Sequence, residues 1–171
     1  GNDVIVGSAF ADTITGGLGG DKMNGGAGAD KFVIGNTDSG LVIASADEIT
    51  GFVSGSDTLS LGFVGDATAG TGNYVEAAAA VADFTAALTA ANAALATLAG
   101  TSAATELYAV QWDASNGYLF NDTDGNGTAD QVIVLVSKNI MKNNACFSYS
   151  FYTFYNPILC PLLWHSNPIL Q

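Results

Sequence analysis

A nine-residue repeat at the start of the chain limits what this sequence can fold into more than any other feature does. Residues 7–15, 16–24 and 25–33 read GSAFADTIT, GGLGGDKMN and GGAGADKFV, and residues 1–6 (GNDVIV) match the last six positions of the same unit. The sixth position is always aspartate (Asp3, Asp12, Asp21, Asp30) and the eighth is always apolar (Ile5, Ile14, Met23, Phe32). A fixed period of this kind predicts stacked repeats, because one short unit cannot bury an apolar face alone.

Each unit divides into a glycine-rich turn and a short strand. Glycine permits positive φ and close approach of neighbouring backbones in the turn, and the apolar eighth position points inward from the strand. Stacking then places the aspartates in rows, where their charges repel one another unless a cation lies between them. Ca²⁺ takes about six to eight oxygen ligands, which carboxylates and turn carbonyls supply. The pattern therefore predicts calcium sites between neighbouring turns.

These residues resemble the RTX (repeats-in-toxin) family of hemolysin-type calcium-binding repeats, whose unit is G-G-x-G-x-D-x-U-x with U apolar. Residues 16–24 and 25–33 match this unit at every specified position. Residues 7–15 depart from it, since Ser8 and Phe10 stand in place of glycines, and we expect this departure to weaken the turn. A flexible glycine-rich linker is the alternative, but a linker does not keep aspartate and apolar residues in register over four units.

The resemblance implies a mainly β fold, a parallel β-roll (right-handed β-helix) with two repeats in each coil. In such a roll calcium lies between turns on the same side, so that alternate repeats share ions. Carried onto this chain, Asp3 pairs with Asp21, and Asp12 pairs with Asp30. The glycines of the implied calcium turns are Gly16, Gly17, Gly19, Gly25, Gly26 and Gly28.

The repeat decays after residue 33, and a closing segment follows. Asp38 lies in the decayed stretch, and we expect it to reach the site on the Asp21 side. Residues 47–61 resemble the segment that closes the roll in RTX proteins, D-x-I-x-x-F-x-x-G-x-D-x-I-x-L, with leucine at the second isoleucine. Asp47 and Asp57 are equally consistent with calcium ligands and with solvated turn residues. Residues 1–62 are thus interpreted as a calcium-binding β-roll with its closing strands.

Residues 63–136 are predicted to form one amphipathic helix on a small antiparallel sheet. The helix is expected from Glu76 to Leu98, where apolar residues recur at helical spacing in an alanine-rich stretch. Glu76 suits the first turn, and Gly100 suits the C-cap. The apolar stripe favours packing over a sheet; binding to a partner helix is the alternative.

The predicted sheet is a three-stranded meander. Residues 106–113, 117–122 and 131–136 are rich in β-branched and aromatic residues. The dipeptide Asn116–Gly117 predicts a tight hairpin between the first two strands.

The second connection of the meander contains another candidate metal loop. Asp122, Asp124, Asn126, Thr128 and Asp130 are spaced like the ligands of an EF-hand-type loop. The position that normally holds the last glutamate is Ile133, and the flanks are predicted strands, so the loop is not an EF-hand. A calcium loop between strands and an ordinary polar hairpin loop explain these residues equally well.

The composition changes abruptly after Val136. Residues 138–171 contain no acidic residue, whereas they hold both cysteines, all three prolines and the single histidine. A frameshift, a read-through or a truncated gene would explain this atypical tail, and a hydrophobic segment that docks elsewhere is the alternative. Residues 137–171 are therefore set apart from the predicted calcium-binding body.

Charge and motifs exclude several classes of function. The formal net charge is −12, which disfavours binding to nucleic acid or to an anionic membrane and favours cations. No stretch is apolar enough to predict a transmembrane helix. The sequence contains no zinc-protease, nucleophile-elbow, P-loop or dinucleotide signature. We therefore expect no catalytic site and no enzyme activity in this chain.

The resemblance implies a calcium-binding module that folds on extracellular Ca²⁺ and supports the secretion and stability of a larger secreted bacterial protein. It implies the type I secretion apparatus as the partner of that larger protein, and an extracellular or cell-surface location. Two alternatives concern the larger protein, which is either an RTX enzyme such as a metalloprotease or lipase, or a structural S-layer, adhesin or toxin protein.

Overall fold

The structure is a computed structural model that describes residues 1–53, 55–61 and 72–136. The described elements, in chain order, are β1 (Val4–Val6), β2 (Thr13–Thr15), β3 (Lys22–Asn24), β4 (Lys31–Val33), a 3₁₀ turn (Ile43–Ser45), β5 (Asp47–Thr50), β6 (Thr58–Ser60), β7 (Tyr74–Glu76), α1 (Phe84–Ala99), β8 (Leu107–Trp112), β9 (Asn116–Asp122) and β10 (Gln131–Val136). The protein is therefore mainly β with one described helix.

The repeat strands alternate between two parallel sheets. Strands β1, β3 and β5 are neighbours in one sheet, and β2, β4 and β6 form the other. The apolar eighth positions fall in register, with Ile5 opposite Met23 and Ile14 opposite Phe32. Because successive strands go to opposite sheets, each repeat lies beside the repeat two units away, as the sequence predicts.

The predicted meander is present, but its sheet is larger than expected. Strands β8, β9 and β10 pair antiparallel in sequence order. Strand β10 also pairs in parallel with β5, and β7 pairs in parallel with β8. The resulting mixed sheet has seven strands in the order β1-β3-β5-β10-β9-β8-β7. The prediction of a small antiparallel sheet was wrong, because the repeat strands and the meander share one sheet.

The seven-stranded sheet has a hydrophobic core on each face. One face contacts the three-stranded sheet, and this core joins repeat residues such as Met23 and Phe32 to meander residues such as Leu119 and Leu135. The other face is covered by α1. The strands β8 to β10 are almost wholly buried for this reason.

The helix is shorter at its start than the sequence predicts. It begins after Asp83, whose side chain accepts a hydrogen bond from the Ala86 N–H at 2.9 Å and caps the helix. Glu76 lies in strand β7, so its predicted place in the first helical turn was wrong. Gly100 is the C-cap, as predicted. The propensity of alanine could not separate the strand from the helix that follows it.

The hairpin between β8 and β9 also differs from the prediction. Asn116 and Gly117 belong to β9, and Gly117 pairs with Trp112. The turn precedes them, where the Asp113 carboxylate accepts hydrogen bonds from the N–H groups of Ser115 and Asn116. A side-chain-capped turn thus replaces the predicted Asn-Gly turn.

The boundary predicted at residue 62 and the tail predicted from residue 137 both lie outside the described residues. Within the part of the chain that the structure describes, α1 and every other helix are too short or too polar to cross a membrane.

Phe32 tests the importance of the repeat core. Its side chain is fully buried, whereas Phe10 is 78% exposed. We expect Phe32→Ala to lower the free energy of unfolding by about 3–5 kcal/mol, because it leaves a cavity. The control Phe10→Ala is expected to change it by less than about 0.5 kcal/mol. Urea unfolding of the calcium-loaded full chain measures both, and equal losses would contradict the described core.

Candidate metal centre

The aspartates of alternate repeats form two hydrogen-bonded series. In the first ladder, defined as Asp3, Asp21 and Asp47, each N–H donates to the carboxylate of the next member. The Asp3 N–H donates to Asp21 Oδ1 at 2.7 Å, and the Asp21 N–H donates to Asp47 Oδ1 at 2.9 Å. The structure therefore brings Asp3 and Asp21 together, as the sequence predicts, and adds Asp47.

The second ladder, defined as Asp12, Asp30 and Asp57, repeats this geometry. The Asp12 N–H donates to Asp30 Oδ1 at 2.9 Å, and the Asp30 N–H donates to Asp57 Oδ1 at 3.0 Å. Asp21 and Asp30 are adjacent in the repeat but lie in different ladders. The sequence left Asp47 and Asp57 open between ligand and solvated turn residue, and the structure buries both as third members.

The glycine turns bring these aspartates together by packing closely on one another. Gly26 and Gly28 have positive φ, and a Cβ at either position would collide with the backbone of the turn at residues 7–12. A Cβ on Gly16 or Gly25 would instead collide with the aspartate of its own repeat. The remaining predicted turn glycines are Gly17 and Gly19, which also have positive φ. At Gly26 and Gly28, only glycine allows the two turns to lie this close.

Two carboxylate oxygens of the first ladder have no hydrogen-bond partner. Among the described residues, the buried side-chain oxygens without a partner are Asp21 Oδ2 and Asp47 Oδ2. Both side chains are fully buried. A buried carboxylate oxygen without a partner is costly unless a proton or a cation meets it. These oxygens are hard ligands of the type that Ca²⁺ prefers, so the first ladder fits the predicted ion.

The buried environment of the first ladder changes the pKa of Asp47. Burial raises the pKa of Asp47 from 3.8 to about 6, and the nearby charges of Asp21 and Asp38 raise it further, while the hydrogen bond from the Asp21 backbone opposes them. Asp38 lies beside the turn of the Asp21 repeat, and its role as a ligand stays a prediction. Its carboxylate accepts the Gly35 N–H at 2.7 Å, and its carbonyl accepts the Gly19 N–H at 2.9 Å.

The second ladder satisfies more of its oxygens within the protein. Asp12 Oδ2 accepts the N–H of Ser8 at 2.6 Å and the Ser8 hydroxyl at 2.9 Å. Asp57 Oδ2 accepts the Val53 N–H at 2.8 Å. The sequence predicts that Ser8 weakens its turn, whereas in the structure its hydroxyl adds a bond to that turn. The two ladders thus share a pattern but differ in the hydrogen bonds that their carboxylates accept.

The loop between β9 and β10 brings three of its predicted ligands together. One carboxylate oxygen each from Asp122, Asp124 and Asp130 lies within 4.8 Å of the others, which is close enough for a shared metal ion. Asp122 is buried, and its oxygens accept N–H groups of the loop, including that of Gly127 at 2.7 Å. Burial raises the pKa of Asp122, and these hydrogen bonds oppose the shift.

Asn126 and Asp130, two of the predicted ligands, accept hydrogen bonds from other residues of the loop. Asn126 Oδ1 accepts both the N–H and the hydroxyl of Thr128, and Asp130 Oδ2 accepts the N–H and the hydroxyl of Thr123. These bonds are those of an ordinary polar turn. The geometry is therefore compatible with both of the interpretations that the sequence left open.

Sequence reasoning missed Ser39, which is buried beside the first ladder. Its hydroxyl accepts the Asp47 N–H at 2.8 Å and donates to the Val132 carbonyl at 2.5 Å. Ser39 stands in the decayed stretch outside any repeat, and its partner on β10 is far away in sequence. No local pattern could have identified it.

Comparison with known proteins agrees with the repeat analysis. Residues 1–32 match the family model of the RTX calcium-binding nonapeptide repeat, which spans four copies. A search of curated proteins found no match to the chain. The matched region contains Asp3, Asp12, Asp21 and Asp30, four of the six ladder members described above. Residues 1–32 are thus similar to the RTX calcium-binding nonapeptide repeat.

Proposed function

We propose that this chain is a non-catalytic, calcium-dependent folding module of a larger secreted bacterial protein. The alternating strands β1 to β6 wind as a parallel β-roll, and Ca²⁺ binds between the turns of each ladder. The ligands come from the ladder aspartates and the turn carbonyls, with Asp38 beside the first ladder. Catalysis and substrate recognition belong to other parts of the protein.

The observation that carries this proposal is the pair of unpartnered buried oxygens on Asp21 and Asp47. Folding without an ion must desolvate these charges and bring them together, which opposes burial of the repeat core. A bound Ca²⁺ supplies the positive charge that offsets this repulsion. Since the site forms only in the folded chain, the free energy of ion binding becomes free energy of folding.

Calcium-dependent folding would serve secretion. Extracellular calcium modules bind at roughly 10⁻⁴–10⁻³ M Ca²⁺, far above cytosolic levels. The aspartate rows therefore keep the repeats unfolded inside the cell, where the type I secretion apparatus takes the unfolded chain. The repeats fold once they reach calcium outside.

The larger protein has two candidate types. In one, an RTX enzyme such as a metalloprotease or lipase carries this region as an accessory domain. In the other, an S-layer protein, adhesin or toxin carries it as a structural segment. A zinc or serine-hydrolase motif in the adjoining sequence of the gene would support the first type, and long repeat arrays without such a motif would support the second.

Calcium removal tests the proposed function directly. We expect the full chain to gain β-sheet circular dichroism when millimolar Ca²⁺ is added and to lose it again with excess EGTA. Magnesium is expected to replace calcium poorly, because it demands a smaller and more regular coordination shell. A far-ultraviolet spectrum that is the same with Ca²⁺ and with EGTA would reject the proposal.

Double substitutions test the assignment of aspartates to ladders. Asp12→Ala with Asp30→Ala removes two members of one ladder, and we expect the loss of calcium sites to be confined to that ladder. Asp21→Ala with Asp30→Ala removes the middle member of each ladder and is expected to damage the sites of both. Isothermal titration calorimetry of the full chain measures the stoichiometry. An equal loss in both variants would show that the ladders do not act separately.

The raised pKa of Asp47 predicts a pH dependence of the calcium-free protein. Since this pKa rises from 3.8 to about 6 on folding, the folded state binds the proton more tightly. In EGTA, the contribution of Asp47 to folding is therefore expected to be fully present below about pH 4 and to be lost as the pH rises through about 6. Each unit by which folding raises this pKa corresponds to about 1.4 kcal/mol of folding free energy.

Asp47→Asn removes the titrating group and is expected to flatten this decline. The β-sheet circular dichroism of the EGTA-treated chain between pH 4 and pH 7 measures it. In millimolar Ca²⁺ the trend should reverse for the wild type, because the ion binds the deprotonated carboxylate. An unchanged slope in the EGTA series of Asp47→Asn would contradict the role of this group.

A further inference from the structure

The two ladders end in different surroundings, although their repeats are alike. Asp47 is the first residue of β5, and β5 pairs along its whole length with β10 of the meander. Asp57 precedes β6, which is the last strand of the three-stranded sheet in the described part of the chain. The first ladder is therefore directly continuous with residues 107–136, and the second is not.

Ser39 adds a side-chain link at the same junction. Its hydroxyl stands between the Asp47 N–H and the Val132 carbonyl, and it bonds to both. The next residue, Gly40, accepts the Val132 N–H at 3.1 Å. Residues 39 and 40 thus attach the start of β10 to the third member of the first ladder.

A buried amide pair extends this link into the meander. The Ser39 N–H donates to Gln131 Oε1 at 3.4 Å, and Gln131 Nε2 donates to Asn121 Oδ1 at 2.7 Å. Gln131 and Asn121 are almost fully buried on β10 and β9. Buried polar groups are costly when a partner is lost. A shift of Asp47 would therefore disturb the strands β5, β10 and β9.

The buried oxygens without a hydrogen-bond partner lie on this same ladder. Asp21 Oδ2 and Asp47 Oδ2 lack partners, whereas on the second ladder Asp12 Oδ2 and Asp57 Oδ2 accept hydrogen bonds from their own turns. Repulsion between two buried carboxylates acts most directly on the position of Asp47, and hence on the register of β5 against β10.

We propose that occupancy of the first ladder by calcium controls the docking of β8, β9 and β10, and that occupancy of the second ladder does not. Ser39 is the positioning residue that transmits this control. The inference rests on the proposed function, since it assumes that Ca²⁺ binds the ladders. Coupling of this kind is reciprocal, so docking of the meander also tightens calcium binding at Asp21 and Asp47.

Hydrogen–deuterium exchange of the full chain, followed by mass spectrometry of peptides, tests the inference. We expect Ca²⁺ to slow exchange in β3 and β5 and, with the same calcium midpoint, in β8 to β10. Asp21→Asn should abolish the calcium dependence of β8 to β10. The matched variant Asp30→Asn removes the equivalent carboxylate of the second ladder and should leave that dependence in place.

Ser39→Ala removes the hydrogen bonds that join Asp47 to β10 and leaves the ladder carboxylates unchanged. We expect the midpoint for β8 to β10 to move at least about fivefold to higher calcium than the midpoint for β3 and β5. Ser56→Ala is the control. The Ser56 hydroxyl also donates to a backbone carbonyl, that of Gly28, but it lies next to Asp57 of the second ladder. Where Ser39→Ala fails to fold, Gln131→Met breaks the same link one step further on and should separate the midpoints in the same direction.

The outcomes separate this inference from the proposed function. If β3 and β5 respond to Ca²⁺ while β8 to β10 do not, the inference is overturned and the proposed function stands. If no strand responds, both fail. If Asp30→Asn abolishes the response of β8 to β10 as completely as Asp21→Asn does, the control does not belong to the first ladder. Coincident midpoints in both Ser39→Ala and Gln131→Met would overturn the positioning role.

Discussion

The repulsion between stacked, buried carboxylates is the constraint on which the rest of this structure depends. Each pair of repeats returns an aspartate to the same side of the molecule, and the next aspartate in the stack accepts its backbone N–H. This bond sets the spacing between turns, and it also brings negative charges into a buried region. Hydrogen bonds from the turns reach Asp12 and Asp57 on the second ladder, whereas on the first ladder Asp21 and Asp47 keep one oxygen each without a partner. A cation is the simplest remaining source of compensation.

The repeats alone bury little apolar surface to oppose this repulsion. Each repeat strand has three residues and points one apolar side chain inward. The structure enlarges this thin core by adding the meander to the same sheet, so that Leu119, Ile133 and Leu135 pack with Met23 and Phe32. Helix α1 then covers the opposite face of the meander through Ala87, Ala91 and Leu95. The repeats and the meander therefore stabilise each other, since neither forms a complete hydrophobic core alone.

Sequence reasoning succeeded where the signal was periodic and local. The nine-residue period predicts that the repeats stack, and the resemblance to RTX repeats implies the pairing of Asp3 with Asp21 and of Asp12 with Asp30. It failed at Glu76 and at Asn116–Gly117, where local propensity was overruled by pairing with a neighbouring strand. The joining of β5 to β10 and the role of Ser39 were beyond prediction, because they link residues whose separation along the chain carries no pattern.

The difference between the ladders shows why a repeat does not define its own role. Asp21 and Asp30 occupy the same position in adjacent and nearly identical units, and each lies in the middle of its ladder. Their strand pairing diverges at the third member, where Asp47 leads into β5 and its partner β10, and Asp57 leads into β6. Local sequence thus determines where an ion can bind, since it sets the turn and the carboxylate. Under the proposed function, long-range pairing determines what a bound ion would stabilise, because among the described residues the first ladder continues through β5 into the meander.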